Sequence, residues 1–211
     1  MTTKDEILET VRRSIPATKQ PREEAYAAIA RSYDQAGTMS LDDRIKLLED
    51  RLHDYGTGVY HCSEHELPHC IADVLADRGK KAMFVSGSIP ASFLPDSVRF
   101  RHDDGVSYDE LDKSEGVLTD CAVAIAQSGT IILRHTKEEG RRALTLVPDY
   151  HLCLVKTGQI VELVVEGMRQ TTQFSQTPVT TISGPSATAD IEMTRIKGVH
   201  GPRFMDVIIV G

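Results

Sequence analysis

The sequence contains no C-x-x-C pair, no asparagine and no long apolar run. Its four cysteines are widely spaced within or beside apolar segments, which favours buried reduced thiols over a disulfide framework. The missing C-x-x-C also removes the usual sequence sign of an iron-sulfur cluster held by this chain. Without asparagine there is no acceptor for N-linked glycosylation.

Charge and hydropathy exclude two further classes of protein. The 24 Lys and Arg residues against 31 Asp and Glu residues give a net charge of −7, which opposes binding to nucleic acid or to anionic lipid. No apolar run approaches the roughly 18 to 20 residues that a membrane span needs. Residues 1–6 also lack the basic and then apolar order of a signal peptide. We therefore predict a cytoplasmic protein with no membrane span and no nucleic-acid partner.

Two patterns divide the 211 residues. Apolar residues repeat at helical spacing over 7–15, 21–33 and 41–55. From Gly58 onward, short apolar runs enclose a helical pattern at 67–75, which is the outline of a β-α-β unit. The sequence predicts a helical extension over residues 1–40 and an α/β domain over residues 41–211.

Further apolar runs predict the strands of a mixed, mostly parallel sheet. They cover residues 82–86, 98–101, 121–126, 130–133, 151–155, 179–182 and 207–210. Several are apolar throughout, as in strands that are covered on both faces. Ser128 and Gly129 between two of them indicate a tight turn and hence an antiparallel pair. The segment 160–168 fits a strand or a helix, and a helix is favoured.

The stretch after residue 182 is the first candidate ligand site. Gly184 is followed by the hydroxyl residues Ser186 and Thr188 and by an expected helix start, where backbone N–H groups can hold a carboxylate or phosphate. Asp190 would repel a bare anion unless the ligand also carried a cation, a ribose hydroxyl or an amine. The alternative is structural, with Ser186 or Thr188 capping the helix and Asp190 favouring its dipole.

A loop over residues 197–203 is the second candidate. His200 can move protons near neutral pH, and Arg203 can bind a carboxylate through two parallel hydrogen bonds. Equally, the loop can be a turn dictated by its glycines, with a solvated arginine. The histidines and cysteines at 61, 62, 65, 69 and 70 do not have the spacing of a strong zinc motif, so no metal site is predicted.

Four blocks of the sequence resemble the LUD domain of lactate utilization proteins. They are residues 124–131, 142–151, 184–192 and 198–203, and the second of them ends in the pattern Pro-x-x-His. The resemblance covers roughly residues 41–211. The chain ends soon after its last strand and has no C-x-x-C, which resembles the lactate utilization protein C family rather than the longer, cysteine-rich B subunits.

This resemblance implies a three-layer α/β/α fold similar to the ribose-phosphate isomerase and CoA-transferase group. It implies a subunit of a cytoplasmic system that oxidises L-lactate to pyruvate, binding a small carboxylate or nucleotide-like ligand. The iron-sulfur clusters would belong to partner subunits, and this chain would hold no cofactor of its own. Arg203 would then bind the carboxylate and His200 would accept the proton of the 2-hydroxyl. A homo-oligomer is compatible with the sequence.

The resemblance also places Gln127, Gly129 and Thr130 at the ligand. The family commonly has glutamate at the position of Gln127, and an amide cannot serve as a nucleophile or general base. Transfer of CoA through an acyl-glutamyl species is therefore in doubt, whereas ligand binding is not. Two alternatives stay open: an independent transferase or ligase acting on a CoA-linked or phosphorylated molecule, and a structural adaptor whose residues 1–40 dock iron-sulfur subunits.

Overall fold

The computed structural model describes residues 3–15, 22–174, 176–188, 196–197 and 200–211. The chain divides into two compact units, Met1–Asp34 and Gln35–Gly211, while the boundary predicted after residue 40 stays a prediction. The first unit contains α1 (Thr3–Ser14) and α2 (Arg22–Ala27). Helix α2 ends well before Tyr33, the predicted limit. Its described side chains are mostly exposed, and so short a helix gains little stability without packing.

The second unit contains four further helices and the strands. The helices are α3 (Leu41–Asp54), α4 (Leu67–Asp77), α5 (Tyr108–Asp112) and α6 (Val164–Thr171). The strands are β1 (Gly58–Cys62), β2 (Ala82–Val85), β3 (Arg99–His102), β4 (Val117–Asp120), β5 (Val123–Ile125), β6 (Thr130–Arg134), β7 (Tyr150–Lys156), β8 (Ile160–Val161), β9 (Val179–Ile182), β10 (Ala187–Thr188), β11 (Ile196–Lys197) and β12 (Phe204–Val210). None of the helices within the described ranges is long and apolar enough to cross a membrane.

A six-stranded sheet in the order β1-β12-β7-β4-β2-β3 forms the centre of this unit. Every neighbouring pair is parallel, and the central strand β7 is buried from Tyr150 to Val155. Helix α4 packs Ile71 and Leu75 against one face. Helix α3 packs Leu48 and Leu52 on the other, and each such buried leucine is worth about 1.5–3 kcal/mol. The predicted α/β class, with a mostly parallel sheet between helices, is confirmed.

The antiparallel pairing lies in a second, four-stranded sheet in the order β8-β5-β6-β9. Strands β5 and β6 are antiparallel across the predicted turn, in which Gly129 has a φ of +61°. The inner face of this sheet shares a core with the main sheet, through Ala124 and Ile131 against Cys153 and Val207. The segment 160–168 combines both predictions, because strand β8 precedes helix α6.

Candidate functional site

A cavity of about 300 Å³ lies at the amino ends of β7 and β12, beside strand β9 of the second sheet. We call it the amino-end cavity. His151 and Met205, the second residues of these two strands, line it together with the short helical turn Arg142–Thr145. Its remaining walls are residues 180–186 and 200–202. The two loops singled out in the sequence therefore meet at one cavity.

Backbone contacts join these two loops. The N–H of Ser186 donates to the carbonyl of Pro202 at 2.8 Å, and the N–H of His200 donates to Ser186 Oγ at 3.1 Å. Gly184 has a φ of +78°, and a Cβ there would lie only 2.3 Å from Cβ of Tyr55. The loop can make this close approach only because glycine occupies the position.

Arg142 brings a positive charge to the cavity. Its Nη1 donates to Thr145 Oγ1 at 3.0 Å, and no carboxylate forms an ion pair with it in the described part of the chain. Burial lowers the pKa of this half-buried guanidinium because water is removed and no acid compensates. The next residues of the turn, Ala143 and Leu144, pack into the core and fix its backbone. Among the described residues, the charge of Arg142 is thus held at the cavity without an acidic partner.

His151 is a buried polar residue at the same cavity, only 1% exposed. Its Nε2 is 2.8 Å from Thr119 Oγ1, whereas its Nδ1 has no hydrogen-bond partner among the residues that the structure describes. Burial, reinforced by the charge of Arg142, lowers the pKa of His151 to about 4, so the imidazole is neutral at pH 7. A buried nitrogen without a hydrogen-bond partner is rare in proteins and calls for an explanation.

The structure connects Thr130 to the cavity, but it does not connect Gln127 to it. Thr130 Oγ1 lies 2.8 Å from Ser128 Oγ and 2.9 Å from Ser183 Oγ, and Ser183 lines the cavity. Gly129 packs against the side chain of Arg51. The exposed Gln127 accepts a hydrogen bond from the N–H of Val164 at 3.4 Å, at the start of α6.

Arg203 lies outside the lining of the cavity. Its guanidinium forms two hydrogen bonds with Asp149, at 2.6 and 2.7 Å, and both side chains are exposed to solvent. This pairing raises the pKa of Arg203 and lowers that of Asp149. The carboxylate-binding geometry predicted for Arg203 is therefore occupied by a carboxylate of the protein itself.

The expected helix start after residue 184 is wrong for the described residues. Ala187 and Thr188 form strand β10, which pairs antiparallel with β11. Ser186 therefore precedes a strand and does not cap a helix, whereas the residues that Thr188 would cap lie outside the described part of the chain. Asp190 lies outside the described residues. Among the described residues, no three His, Cys, Asp or Glu side chains converge as metal ligands.

Sequence reasoning did not select Arg142 and His151 as site residues. Both lie in the block 142–151 that resembles the family, but no local pattern in that block marks either side chain as a ligand contact. His151 stands inside an apolar run, where it reads as a core residue. Only the structure shows that its Nδ1 is left without a partner.

Three comparisons with known proteins bear on identity. The LUD domain family profile matches residues 1–210. A protein from Deinococcus radiodurans named "Lactate utilization protein C" is 41% identical over 212 residues, covering 94% of this chain and 99% of the relative. A protein of the same name from Oceanobacillus iheyensis is 27% identical over 197 residues, covering 84% of each chain.

A crystal structure of a DUF162 family protein from Deinococcus radiodurans, at 1.70 Å resolution, is similar in fold. Its TM-score is 0.72 at 38% sequence identity, and the match covers 82% of this chain and all of that one. The sequence matches and the fold match to these relatives each cover most of the chain. The chain therefore belongs to the LUD domain family, among relatives named lactate utilization protein C.

Proposed function

We propose that this chain takes part in lactate utilization and that its amino-end cavity binds a small 2-hydroxy acid such as L-lactate. The names of its relatives support the role in lactate utilization. One observation supports the ligand class: Arg142, which has no acidic partner among the described residues, and His151, whose Nδ1 has no hydrogen-bond partner there, line the same cavity. A small anion with a hydroxyl group satisfies both.

Arg142 binds the carboxylate in this proposal. An arginine–carboxylate pair forms two charge-assisted hydrogen bonds, and its strength increases where water is excluded. The partly buried guanidinium, whose pKa is lowered by the loss of water, gains more from an anion than a solvated arginine would. Ser183 and Ser186 line the same cavity and offer hydroxyl groups to the remaining oxygen atoms.

His151 orients the hydroxyl group of the ligand. The hydroxyl of Thr119 donates to Cys153 Sγ at 3.8 Å, so its oxygen is left to accept the hydrogen from Nε2 of His151. This tautomer leaves Nδ1 as an acceptor for the 2-hydroxyl of the acid. With a pKa of about 4, the imidazole is a weak base and positions the hydroxyl rather than removing its proton. The exposed His200, on the same cavity, keeps the predicted role of proton acceptor.

Oxidation of L-lactate to pyruvate releases two electrons and two protons. We assign the electrons to iron-sulfur partner proteins, as the family resemblance implies, and to this chain the binding and orientation of the acid. A structural adaptor would need no unpaired arginine in a cavity. A CoA-transfer reaction through residue 127 gains no support, since the amide of Gln127 contacts helix α6 and does not line the cavity.

A larger anion is the second candidate ligand. The cavity of about 300 Å³ has room beyond a three-carbon acid, and it reaches the lower size range of pockets for larger ligands, about 300–1,000 Å³. A nucleotide or a phosphorylated metabolite would use the same arginine. Measured affinities distinguish the two candidate ligands, because the ligand that fills the cavity binds more tightly.

Isothermal titration of the full chain tests the proposal. L-lactate and the neutral lactamide have nearly the same shape, so lactamide should bind at least about tenfold more weakly, a difference of about 1.4 kcal/mol. Arg142→Gln should weaken lactate binding by a similar or larger factor. Arg203→Gln is the matched control, since that arginine pairs with Asp149 outside the cavity. Equal affinity of wild type and Arg142→Gln for lactate would contradict the proposal.

A further inference from the structure

A second cavity, of about 140 Å³, lies at the opposite end of the main sheet, and we call it the carboxyl-end cavity. Strands β4 and β7 end beside it at Asp120 and Lys156. The turn after β2 adds Ser88 to its lining. In α/β sheets, ligands bind most often beyond the carboxyl ends of the strands. The carboxyl-end cavity therefore has the position that is typical of a ligand site in this class of fold.

Asp120 contributes an uncompensated carboxylate. Its Oδ1 accepts a hydrogen bond from Ser88 Oγ at 2.8 Å, and Ser88 Oγ lies 2.9 Å from Oγ of the buried Ser86. Burial raises the pKa of Asp120, and the negative charge of Glu139 adds to this effect. Arg134 opposes the shift only weakly, because its guanidinium is already hydrogen-bonded to Glu139 at 2.6–2.7 Å. No cation forms an ion pair with Asp120 in the described ranges of the chain.

Lys156 supplies a positive charge to the same cavity. Its Nζ is 3.5 Å from a carboxylate oxygen of Glu64, and both side chains are more than half exposed. Such a surface pair contributes at most about 1 kcal/mol and exchanges readily for another anion. The ammonium also lies 5.7 Å from the centre of the Phe93 ring, which lines the cavity.

The other walls are rigid and largely apolar. Leu67, Leu154 and Val210 are at most 5% exposed and belong to the main core. Gln159 ties the two strand ends together, since its Nε2 donates to the carbonyl of Cys121 at 2.6 Å and its Oε1 accepts from the N–H of Lys156 at 2.8 Å. A single water needs only about 15 Å³ of such space, so the cavity has room for a ligand of several non-hydrogen atoms.

We propose that the carboxyl-end cavity binds a small aliphatic zwitterion, with its ammonium group on Asp120, its carboxylate on Lys156 and its hydrocarbon part against Phe93 and Leu154. A negative and a positive side chain separated by apolar walls match a dipolar ligand of zero net charge. The negative charge of Asp120 would repel a simple anion, and the positive charge of Lys156 would repel a simple cation. The site is independent of the function proposed above, because it uses another cavity and other residues.

The test compares L-valine with two molecules that each keep only one of its charges, isobutylamine and isobutyrate. Chemical shifts of ¹⁵N-labelled full chain are followed during each titration. We expect saturable shifts with L-valine at Ser86–Ser88 and Lys156, and binding about tenfold weaker for either single-charge molecule. The proposal is overturned if L-valine and the smaller L-alanine both cause no saturable shift at millimolar concentration. Equal affinity for isobutylamine would also overturn it.

Single-residue variants test which side chains contact L-valine. Asp120→Asn keeps the shape of the side chain and should weaken L-valine binding about tenfold, while Lys156→Met should weaken it by a smaller factor. Arg142→Gln should leave it unchanged. If Asp120→Asn does not fold, Ser88→Ala serves instead, because it removes the hydrogen bond that holds the carboxylate. Unchanged affinity in the folded Asp120 or Ser88 variant would refute the assignment.

Discussion

Strand β7 connects two cavities that carry opposite charge patterns. At its amino end, Arg142 is a cation that forms no ion pair with any described acidic residue, beside the neutral His151. At its carboxyl end, Asp120 is a carboxylate that forms no ion pair with any described cation. Elsewhere in the same unit, buried charges are compensated: Arg78 binds the fully buried Asp206 through two hydrogen bonds of 2.6–2.7 Å. Compensated charges stabilise the fold, whereas the uncompensated ones mark where ligands are expected.

The largest expected effect comes from a compensated charge. Asp206 also accepts a hydrogen bond from the hydroxyl of Tyr150 at 2.9 Å. Arg78→Met leaves the fully buried Asp206 without its cation and should lower the free energy of unfolding by about 3–5 kcal/mol. Urea denaturation measures the loss. Asp149→Asn is the control, because its exposed pair with Arg203 should be worth less than about 1 kcal/mol. Equal losses in the two variants would abolish the distinction between buried and exposed pairs.

The next effect is the dependence of the free energy of unfolding on pH, which arises from His151 at the amino-end cavity. His151 has a pKa of about 4 in the folded protein against 6.5 in the unfolded chain, so the unfolded state binds more protons between these values. Stability should therefore rise with pH from 4 to 6.5, with His151 contributing on the order of 3 kcal/mol to the rise. Denaturation of wild type and His151→Gln at several pH values isolates this contribution. A slope that is the same in both proteins would show that His151 is not buried as described.

Gly184→Ala should disturb the amino end and spare the carboxyl end. The positive φ and the contact with Tyr55 should together cost on the order of 2 kcal/mol. Lactate binding should fall with the displaced loop, while L-valine binding should stay. Gly158→Ala is the control, since an added Cβ meets nothing within 4 Å there. Loss of both binding activities in Gly184→Ala would mean that the two cavities are coupled.

The smallest effect on the free energy of unfolding is expected at Asp120, and it has the opposite sign. Burial raises the pKa of its carboxyl, so the charged form costs more free energy in the folded protein than in the unfolded chain. Asp120→Asn removes that cost and should leave the stability unchanged or raise it by at most about 1 kcal/mol. Thermal unfolding at neutral pH checks this. A loss as large as that of Arg78→Met would identify Asp120 as a structural residue.

Much of the fold could be predicted from apolar runs and turn residues. The main exception is β4, which none of the predicted runs covers, because the predicted run 121–126 begins only after β4 ends and contains β5. The chain instead leaves the main sheet at Asp120 and enters the second sheet at Val123. Periodicity cannot locate such a break, since both short strands are buried on both faces. Over residues 185–188, the described part of the segment, the helix predicted after residue 184 is absent for a related reason: Gly and Ser precede strands as readily as helices.

The site could be predicted only in part. Gly184 and His200 were selected from two separate loops, and no sequence pattern indicates that these loops share one cavity. Arg203 looked available because its partner Asp149 is 54 residues away in the chain. Whether an arginine is free or paired depends on such long-range contacts, which a local pattern does not contain.

One measurement tests the central claim most directly: a titration of ¹⁵N-labelled protein with L-lactate, followed residue by residue across both cavities. The account predicts saturable shifts at Ser183, Gly184 and His151, with none at Ser88 or Lys156. It also predicts that Arg142→Gln abolishes these shifts and Arg203→Gln does not. Shifts confined to Ser88 and Lys156, or shifts at Gly184 that persist in Arg142→Gln, would contradict it.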